Sequence, residues 1–427
     1  MSLVDPLTRR RLERFRGSRA AWWSFLLLGA LILLAALGPL LVGHRPLVVS
    51  TERGLRFPAL SGFIPAEAFG MPGRQEPNYR LLDARLRAEG RGWALMPLVP
   101  FAPGQVCEVQ PPAFAKDDRW HDPRGPIVEG RVFVLADDGS RSRSWYVVDG
   151  RLHGEARRLD HGVTVARAKF NEGKFVSATS GGPDDWKPSG DVRTLVPSPC
   201  PPGLDGHWLG TDESGHDVVA RLFGGFRLLL AAALVFLPAV YLVGLLLGGA
   251  MGYFGGRFDM ALQRVMEIWS NVPFLYAIIF LASLLEPSLA LLSLLLVAFS
   301  WIGLAQQLRA SAYQAAARDY VTASRALGAG HFRIIWRHVL PNCSTVILTT
   351  VPFSLHGLIF SLSSLDYLGF GLPPTEPTWG ELLRQANENP AAWWILVPTV
   401  ACLVGLMVLI NAVGEGLQDA FDLKRNR

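Results

Sequence analysis

Six runs of apolar residues constrain the fold of this chain more than any other feature of its sequence. A helix needs about 20 consecutive apolar residues to cross the hydrocarbon core of a bilayer, and most of these runs approach that length. The third run is short and meets the fourth at Glu286-Pro287, which predicts a tight turn between two helices. We therefore expect an α-helical integral membrane protein with about six transmembrane helices. The runs cover residues 21–43, 226–252, 272–285, 287–308, 343–364 and 393–414.

The placement of arginine predicts the orientation of these helices, because short cytoplasmic loops carry an excess of Lys and Arg. Arginines at 9, 10, 11, 14, 16 and 19 precede the first run, which puts residues 1–20 in the cytoplasm. The first run is too long for the core of a signal peptide, so we expect an uncleaved anchor. Alternation then predicts that 44–225 and 365–392 lie outside, and that 253–271, 309–342 and the tail 421–427 lie inside. The net charge of +5 follows from this topology, and the scattered basic residues do not favour nucleic-acid binding.

Residues 44–206 differ in composition from the rest of the chain and predict a separate region between the first and second helices. Short runs of strand-forming residues alternate there with Asp-Gly turns, which is typical of β-hairpins. We expect a small β-rich domain over about 128–180, flanked by extended connectors that are rich in proline. The strands are predicted at 131–135 and 144–148, the turns at 138–139 and 149–150, and the connectors at 96–103, 111–126 and 197–202.

Residues 207–225 predict a capped helix at the membrane interface before the second apolar run. Ser214 and Asp217 have the spacing of a capping box, so this helix is expected to begin near Gly215. A metal cluster is the alternative interpretation, and we prefer the interfacial helix. The side chains that such a cluster would use are His207, Asp212, His216 and Asp217.

The remaining polar patterns predict neither a catalytic nor a metal site. Cysteine spacing shows no metal-binding pattern, although an oxidising compartment would allow a disulfide between Cys107 and Cys200. The chain has no GxxxxGK[ST] motif, so if a nucleoside triphosphate drives this protein, another polypeptide binds it.

Glycines in the second apolar run predict close helix packing. Gly244, Gly248 and Gly252 form two overlapping GxxxG spacings, which let helices approach closely in lipid.

Residues 320–342 carry three arginines and two histidines between apolar runs, so they must lie outside the hydrocarbon. Gly328 and Gly330 interrupt a helical pattern, and Pro341 is expected to end it. The pattern predicts a helix–glycine turn–helix element suited to receiving a partner. Its apolar stripe is predicted at Phe332, Ile335, Trp336 and Val339.

The same segment resembles a known motif. Residues 322–330 (TASRALGAG) and 340–342 (LPN) resemble the EAA loop of ABC importer permeases. Residues 207–225 (HWLGTDESGHDVVARLFGG) are similar to the segment before the second helix of the C-type dipeptide, oligopeptide and nickel permeases. Residues 252–256 (GYFGG) and 373–380 (PPTEPTWG) fit the same family.

Residues 90–104 (GRGWALMPLVPFAPG) resemble the Yej-type branch of these permeases, whose relatives import peptides and the peptide antibiotic microcin C. The resemblance covers the first helix and nearly all of 200–427. It implies the type I importer fold, with five core helices in 226–420 and an additional N-terminal helix. It also implies a multi-pass protein of the bacterial inner membrane that imports peptides by ATP-driven alternating access.

The resemblance implies partners as well. It predicts a heterodimer with a second permease, two ATP-binding subunits that hydrolyse ATP, and a periplasmic substrate-binding protein, so this chain itself is not expected to be an enzyme or to hold a cofactor. The coupling loop, about 314–342, would dock on an ATP-binding subunit. Its implied coupling residues are Thr322, Ala323, Ser324, Arg325, Ala326, Leu327, Gly328 and Ala329.

Three departures from the family pattern matter. Thr322 replaces the glutamate that gives the EAA loop its name, and His216 replaces the usual arginine. Residues 110–195 have no counterpart in typical peptide permeases. Two alternatives stay open: a permease of the same fold for nickel or a glycan fragment, and a membrane-anchored envelope sensor or assembly protein. A membrane enzyme is disfavoured, because 44–206 lacks a nucleophile or metal constellation.

Overall fold

The computed structural model describes residues 6–52, 54–69, 71, 75–135, 141–160 and 163–421, and these residues form two compact units. The helical unit holds the described residues up to Gly38, Leu222–Glu388 and the described residues from Leu396. The β-rich unit holds Pro39–Arg221 and Asn389–Ile395. The turn predicted at 138–139 and the tail from 422 onward lie outside the described residues.

The α-helices of the described chain follow the apolar runs, with shorter helices between them. They are α1 (Pro6–Gly17), α2 (Arg19–Ala36), α3 (Gly38–Leu41), α4 (Pro58–Ser61), α5 (Tyr79–Ala88), α6 (Val218–Phe254), α7 (Gly256–Ser270), α8 (Phe274–Leu284), α9 (Leu289–Ala316), α10 (Asp319–Ala326), α11 (His331–Ile334), α12 (Leu340–Tyr367), α13 (Trp379–Glu388) and α14 (Trp393–Phe421).

Five helices in the described chain are long and apolar enough to cross a membrane, and they confirm the predicted membrane fold. They are α2, α6, α9, α14 and the continuous helix His331–Tyr367, which includes α11 and α12. The predicted third span needs correction, because α8 has only 11 residues and extends about 16 Å. A crossing here requires α7 and α8 together, a pair that is bent by 68°.

The helix before the second apolar run is not a separate interfacial element. Residues 207–217 are irregular, and α6 starts at Val218 and runs without interruption to Phe254. Gly215 has a φ of 85°, which excludes it from a helix start. The predicted cap shifts accordingly, because the carboxylate of Asp217 accepts a hydrogen bond from the Ala220 amide at 2.8 Å.

Three glycines of α6 lie directly against α9. A Cβ atom built on Gly248 would lie 2.3 Å from the carbonyl oxygen of Ala305, and one on Gly252 would lie 2.4 Å from that of Arg309. The equivalent atom on Gly244 would lie 2.9 Å from the side chain of Leu304. Contacts this short leave no room for any side chain, so α6 and α9 approach each other backbone to backbone.

The described residues of the β-rich unit form one large antiparallel sheet and two small ones. The large sheet has the order β12-β11-β10-β8-β7-β13, with β9 paired to β8. The strands are β1 (Val48–Thr51), β2 (Gly54–Arg56), β3 (Gly92–Leu95), β4 (Phe114–Lys116), β5 (Arg119–Asp122), β6 (Gly125–Pro126), β7 (Glu129–Leu135), β8 (Arg141–Val148), β9 (Arg151–Leu152), β10 (Gly154–Asp160), β11 (Val163–Asn171), β12 (Lys174–Ala178) and β13 (Val192–Thr194).

The large sheet confirms the strands predicted at 131–135 and 144–148, and its core is built on two tryptophans. Trp145 of β8 is almost fully buried, and its indole N–H donates to the Trp186 carbonyl at 2.7 Å. Trp186 is also buried and donates to the Ser180 carbonyl at 2.8 Å. Each indole therefore buries a large apolar ring without leaving its polar atom unpaired.

Two further expectations for this unit are corrected. Residues 111–126 were expected to be an extended connector, but they hold the three-stranded sheet β4-β5-β6. Cys107 and Cys200 are both free, so the disulfide is not formed. Each thiol has a separate environment: Cys200 is buried with Val109, Val196 and Leu204, and Cys107 lies 3.6 Å from the Gln105 carbonyl.

Candidate functional site

The charged segment between α9 and α12 forms a hairpin of short helices. Helix α10 is followed by a turn at Gly328 and then by α11. A π-helical segment, Ile335–Val339, joins α11 to α12. Pro341 therefore does not end a helix as predicted. It lies inside the continuous helix, directly after the π-helical segment.

Gly328 closes the end of α10 in a left-handed conformation. Its φ is 79°, a value that residues with a side chain adopt only at a cost. Its amide donates to the Arg325 carbonyl at 3.0 Å, and the Ala329 amide donates to the Ser324 carbonyl at 3.1 Å. These bonds satisfy carbonyls at the helix end and fix the direction of the chain into α11.

One side of the hairpin is held against the helical unit. Val321, Ile334 and Val339 are buried. The hydroxyl of Tyr253, at the end of α6, forms a 2.9 Å hydrogen bond with Nδ1 of His331. The guanidinium of Arg325 lies 4.7 Å from the centre of the same tyrosine ring. One aromatic side chain thus contacts both helices of the hairpin.

The opposite side of the hairpin exposes large apolar side chains, which we call the apolar corner. It consists of Leu327, Phe332 and Trp336, which are 88%, 74% and 55% exposed. The rings of Phe332 and Trp336 lie 5.9 Å apart. The predicted stripe is corrected here, because Val339 is buried while Phe332 and Trp336 are exposed. A helical period of 3.6 residues does not persist through a π-helical segment.

Basic and small residues are exposed on the same hairpin. Arg333 and Arg337 are exposed, and so is Arg325, which packs over the Tyr253 ring. Of the eight coupling residues implied by the sequence, Ser324 and Ala329 are half-buried and the other six are exposed. The Ser324 hydroxyl donates to the Tyr320 carbonyl at 2.8 Å. The exposed part of the hairpin therefore carries both apolar and positively charged side chains.

An ion pair joins helices α7 and α9. Arg309 of α9 makes a two-pronged ion pair with Asp259 of α7, with both N–O distances at 2.5 Å. Its geometry is that of a bidentate guanidinium–carboxylate pair. No local sequence pattern predicts this pair, because the two residues are 50 positions apart.

The polar residues of 207–221 form a buried network within the β-rich unit. The ring Nδ1 of His207 lies 2.8 Å from the carboxylate of Asp217, and Arg221 lies 3.4 Å from that of Asp212. His216 also contacts Asp212 at 3.2 Å. Within the described residues, no group of three or more His, Cys, Asp or Glu side chains is placed to hold a metal ion. The network satisfies charges that burial would otherwise make costly.

Comparisons with known proteins agree with this architecture. Residues 244–427 match the family described as "Binding-protein-dependent transport system inner membrane component". The chain is 30% identical to the "Peptidoglycan transport system permease protein YejE" of Agrobacterium fabrum, over 99% of this chain and 94% of the relative. It is 29% identical to the "Inner membrane ABC transporter permease protein YejE" of Escherichia coli, over 99% and 98%. The "Dipeptide transport system permease protein DppC" of Bacillus subtilis is 33% identical over 55% of this chain and 74% of its own length.

Proposed function

The chain belongs to the family of binding-protein-dependent transport system inner membrane components, and from that premise we propose that it imports peptides or peptide-like compounds. It is a multi-pass membrane permease of the ABC type. In the proposed cycle, the helices alternate between inward-open and outward-open states, and cargo moves from periplasm to cytoplasm. Moving such an equilibrium from 1:99 to 99:1 requires about 5.5 kcal/mol of differential binding. ATP-binding partners would supply that energy.

The apolar corner carries this proposal. Leu327, Phe332 and Trp336 are exposed on a hairpin whose other side is buried and hydrogen-bonded. An apolar surface with a polar rim is typical of a protein–protein interface. We assign it to the groove of an ATP-binding subunit, which would contact the coupling residues 322–329. Because Thr322 has no carboxylate, this contact would rely on apolar burial rather than on an ion pair at that position.

The proposed orientation puts this hairpin in the cytoplasm together with both termini. The N-terminal helix α1 has Arg14 and Arg16 in its last turn, before α2. If the bent pair α7–α8 counts as one crossing, six crossings separate α1 from the end of α14. The hairpin then lies on the same side as α1, in accord with the excess of arginine in both places. With only five crossings, the hairpin and α1 would lie on opposite sides of the membrane, against the arginine pattern. We therefore assign α7–α8 as a span and 44–217 as periplasmic.

The proposed assembly contains four kinds of partner. A second permease completes the pathway, two ATP-binding subunits bind ATP and Mg²⁺, and a periplasmic protein delivers cargo. Lipid surrounds the spans. The first test is co-purification of this chain from its native membrane: two ATP-hydrolysing subunits should accompany it. A membrane-anchored sensor would come without them.

The second test compares two proline substitutions in the hairpin. Gly328→Pro is incompatible with a φ of 79° and removes the hydrogen bond to Arg325. Gly330→Pro is the matched control, because Gly330 has a φ of −65°, the value that proline prefers. Uptake of a labelled peptide should fall by about tenfold or more with Gly328→Pro only, since strain of this kind exceeds about 1.4 kcal/mol. Normal uptake with Gly328→Pro would refute the coupling role of the hairpin.

A further inference from the structure

A cavity of about 530 Å³ lies among the spanning helices of the helical unit. Its volume is within the range of about 300–1,000 Å³ that small-molecule sites occupy. Helices α6, α9, α12 and α14 contribute its walls. The polar side chains that line it are Ser300, Gln307, Thr350, Ser354, Ser361 and Gln418.

The polar lining follows one face of each of two helices. On α9, Ser300, Gly303 and Gln307 repeat at intervals of three and four residues. On α12, the lining residues 350, 354, 357 and 361 repeat in the same way. Polar residues within spanning helices are costly, and they are found mostly where they line a pathway or a cavity. Two polar faces that meet at one cavity therefore indicate a functional surface rather than chance.

Two of the lining hydroxyls on α12 form hydrogen bonds with a tyrosine of α6. The Tyr241 hydroxyl of α6 lies 2.9 Å from the Thr350 hydroxyl and 3.1 Å from that of Ser354. Thr350 also lies 2.8 Å from the Val346 carbonyl of its own helix. Because each hydroxyl has one donor and two acceptor positions, these contacts orient the pair but leave acceptor capacity for a ligand. Gln307 and Gln418 are exposed at the cavity and add two carboxamides.

The chemistry of the lining restricts what the cavity can bind. Its described lining residues include hydroxyls and carboxamides, which both donate and accept hydrogen bonds, and no Asp, Glu, Lys, Arg or His. Such groups match an amide main chain, whose N–H and C=O groups alternate. They offer no counter-ion to a charged side chain or a metal ion.

We propose that this cavity is the part of the cargo pathway contributed by this chain, and that it contacts peptide main-chain amides with little regard for side-chain charge. This assignment rests on the proposed function as a peptide importer. Selection among peptides then occurs before cargo reaches the cavity. The cavity needs only to supply hydrogen-bond partners that replace water on the peptide main chain during passage.

Two glycines give a direct way to fill the cavity. A Cβ atom built on Gly303 or Gly357 would meet nothing within 4 Å, although both residues line the cavity. Leucine favours a helix more than glycine does, so Gly303→Leu and Gly357→Leu should fold and occupy the open space. Gly405→Leu on α14 is the control, because that position is equally open but does not line the cavity.

The first measurement is uptake of labelled trialanine by proteoliposomes that contain the whole transporter and its binding protein. Gly303→Leu and Gly357→Leu should reduce uptake by about tenfold or more, the loss expected when cargo cannot adopt its bound position. Both variants should co-purify with the ATP-binding subunits in wild-type amounts, because the hairpin is untouched. Gly405→Leu should transport normally.

The second measurement tests the contact with cargo by charge. Gln307→Glu puts a carboxylate in the cavity, which repels a glutamate side chain and attracts a lysine side chain. The ratio of Ala-Glu-Ala uptake to Ala-Lys-Ala uptake should therefore be lower in the variant than in wild type by about threefold or more. Taking the ratio cancels the preference of the binding protein, and a purely structural defect would lower both rates equally. Gln306→Glu, on the neighbouring exposed residue outside the cavity, should leave the ratio unchanged.

The outcomes separate this proposal from the proposed function. If wild type takes up trialanine, and the leucine variants and Gln307→Glu behave like their controls, the cavity is not the pathway, while the importer assignment stands. If the assembled wild-type transporter takes up none of the three peptides, the importer assignment fails and the cavity proposal fails with it.

Discussion

The close approach of α6 and α9 predicts a sharp difference between two adjacent glycines. In Gly248→Ala, the new methyl group would lie 2.3 Å from the Ala305 carbonyl oxygen and 3.0 Å from its Cα atom. Ordinary contacts begin near 3.5 Å, so the helices must separate by about 1 Å. A backbone carbonyl cannot rotate away as a side chain can. Overpacking of this kind costs about 1–3 kcal/mol.

Gly249→Ala is the matched control for this change. Its methyl group would lie 3.2 Å from the Cδ2 atom of Leu340, the mobile end of a flexible side chain. Both substitutions gain the same helix propensity, about 1 kcal/mol, so their difference isolates the packing cost.

The assay is thermal unfolding of the purified chain in detergent. A difference of 1 kcal/mol corresponds to about 2–4 °C in Tm for a unit of 150–250 residues. We expect Gly248→Ala to melt several degrees below Gly249→Ala. Equal melting temperatures would show that the backbone contact between α6 and α9 is not formed, and would refute the reasoning.

Two further predictions concern the β-rich unit. Trp145→Ala should lower the free energy of unfolding by about 3–5 kcal/mol and expose 128–194 to limited proteolysis. Trp208→Ala, at a residue that is 56% exposed, should do neither. Equal protease resistance of the two variants would contradict the proposed core. Burial raises the pKa of the Cys107 thiol to about 12, so it stays protonated as pH rises through its ordinary value of 9.0. At pH 8 the folded chain should hold far less Cys107 thiolate than the unfolded chain, and iodoacetamide labelling followed by mass spectrometry should be correspondingly slower. Equal labelling rates would exclude a raised pKa for this thiol.

The membrane architecture was readable from the sequence because apolar length is a direct physical requirement of a bilayer. The runs at 226–252 and 393–414 fall within α6 and α14, and the glycine spacing on α6 pointed to a surface that α9 covers closely. The third span was misjudged because a window of apolar residues does not detect that α8 alone is too short to cross and that only α7 and α8 together have the length and hydropathy for a crossing.

The candidate site was predictable in position but not in detail. Gly328 predicted the turn, since glycine readily adopts the positive φ of 79° found there. The π-helical segment Ile335–Val339 was not predicted, because the apolar stripe was assigned with an α-helical period of 3.6 residues. The contact of Tyr253 with His331 joins residues 78 positions apart, beyond the reach of local patterns.

The cavity was missed for a different reason. Serine, threonine and glycine within an apolar run are also what close helix packing requires, so the stripe along α12 had two interpretations. A helical period of 3.6 applied to Thr350, Ser354 and Ser361 would have placed these hydroxyls on one face of α12. Only the open space beside Gly303 and Gly357 distinguishes a lined void from a packed interface.

The helix from His331 to Tyr367 has no break between its two ends. It spans 37 residues, about 55 Å, and carries Phe332 and Trp336 near one end and the hydroxyls of 350–361 further along. The π-helical segment Ile335–Val339 and Pro352 interrupt the regular hydrogen bonding along this helix. A push on the exposed aromatic end would therefore bend the helix at these two places before it tilted the whole length.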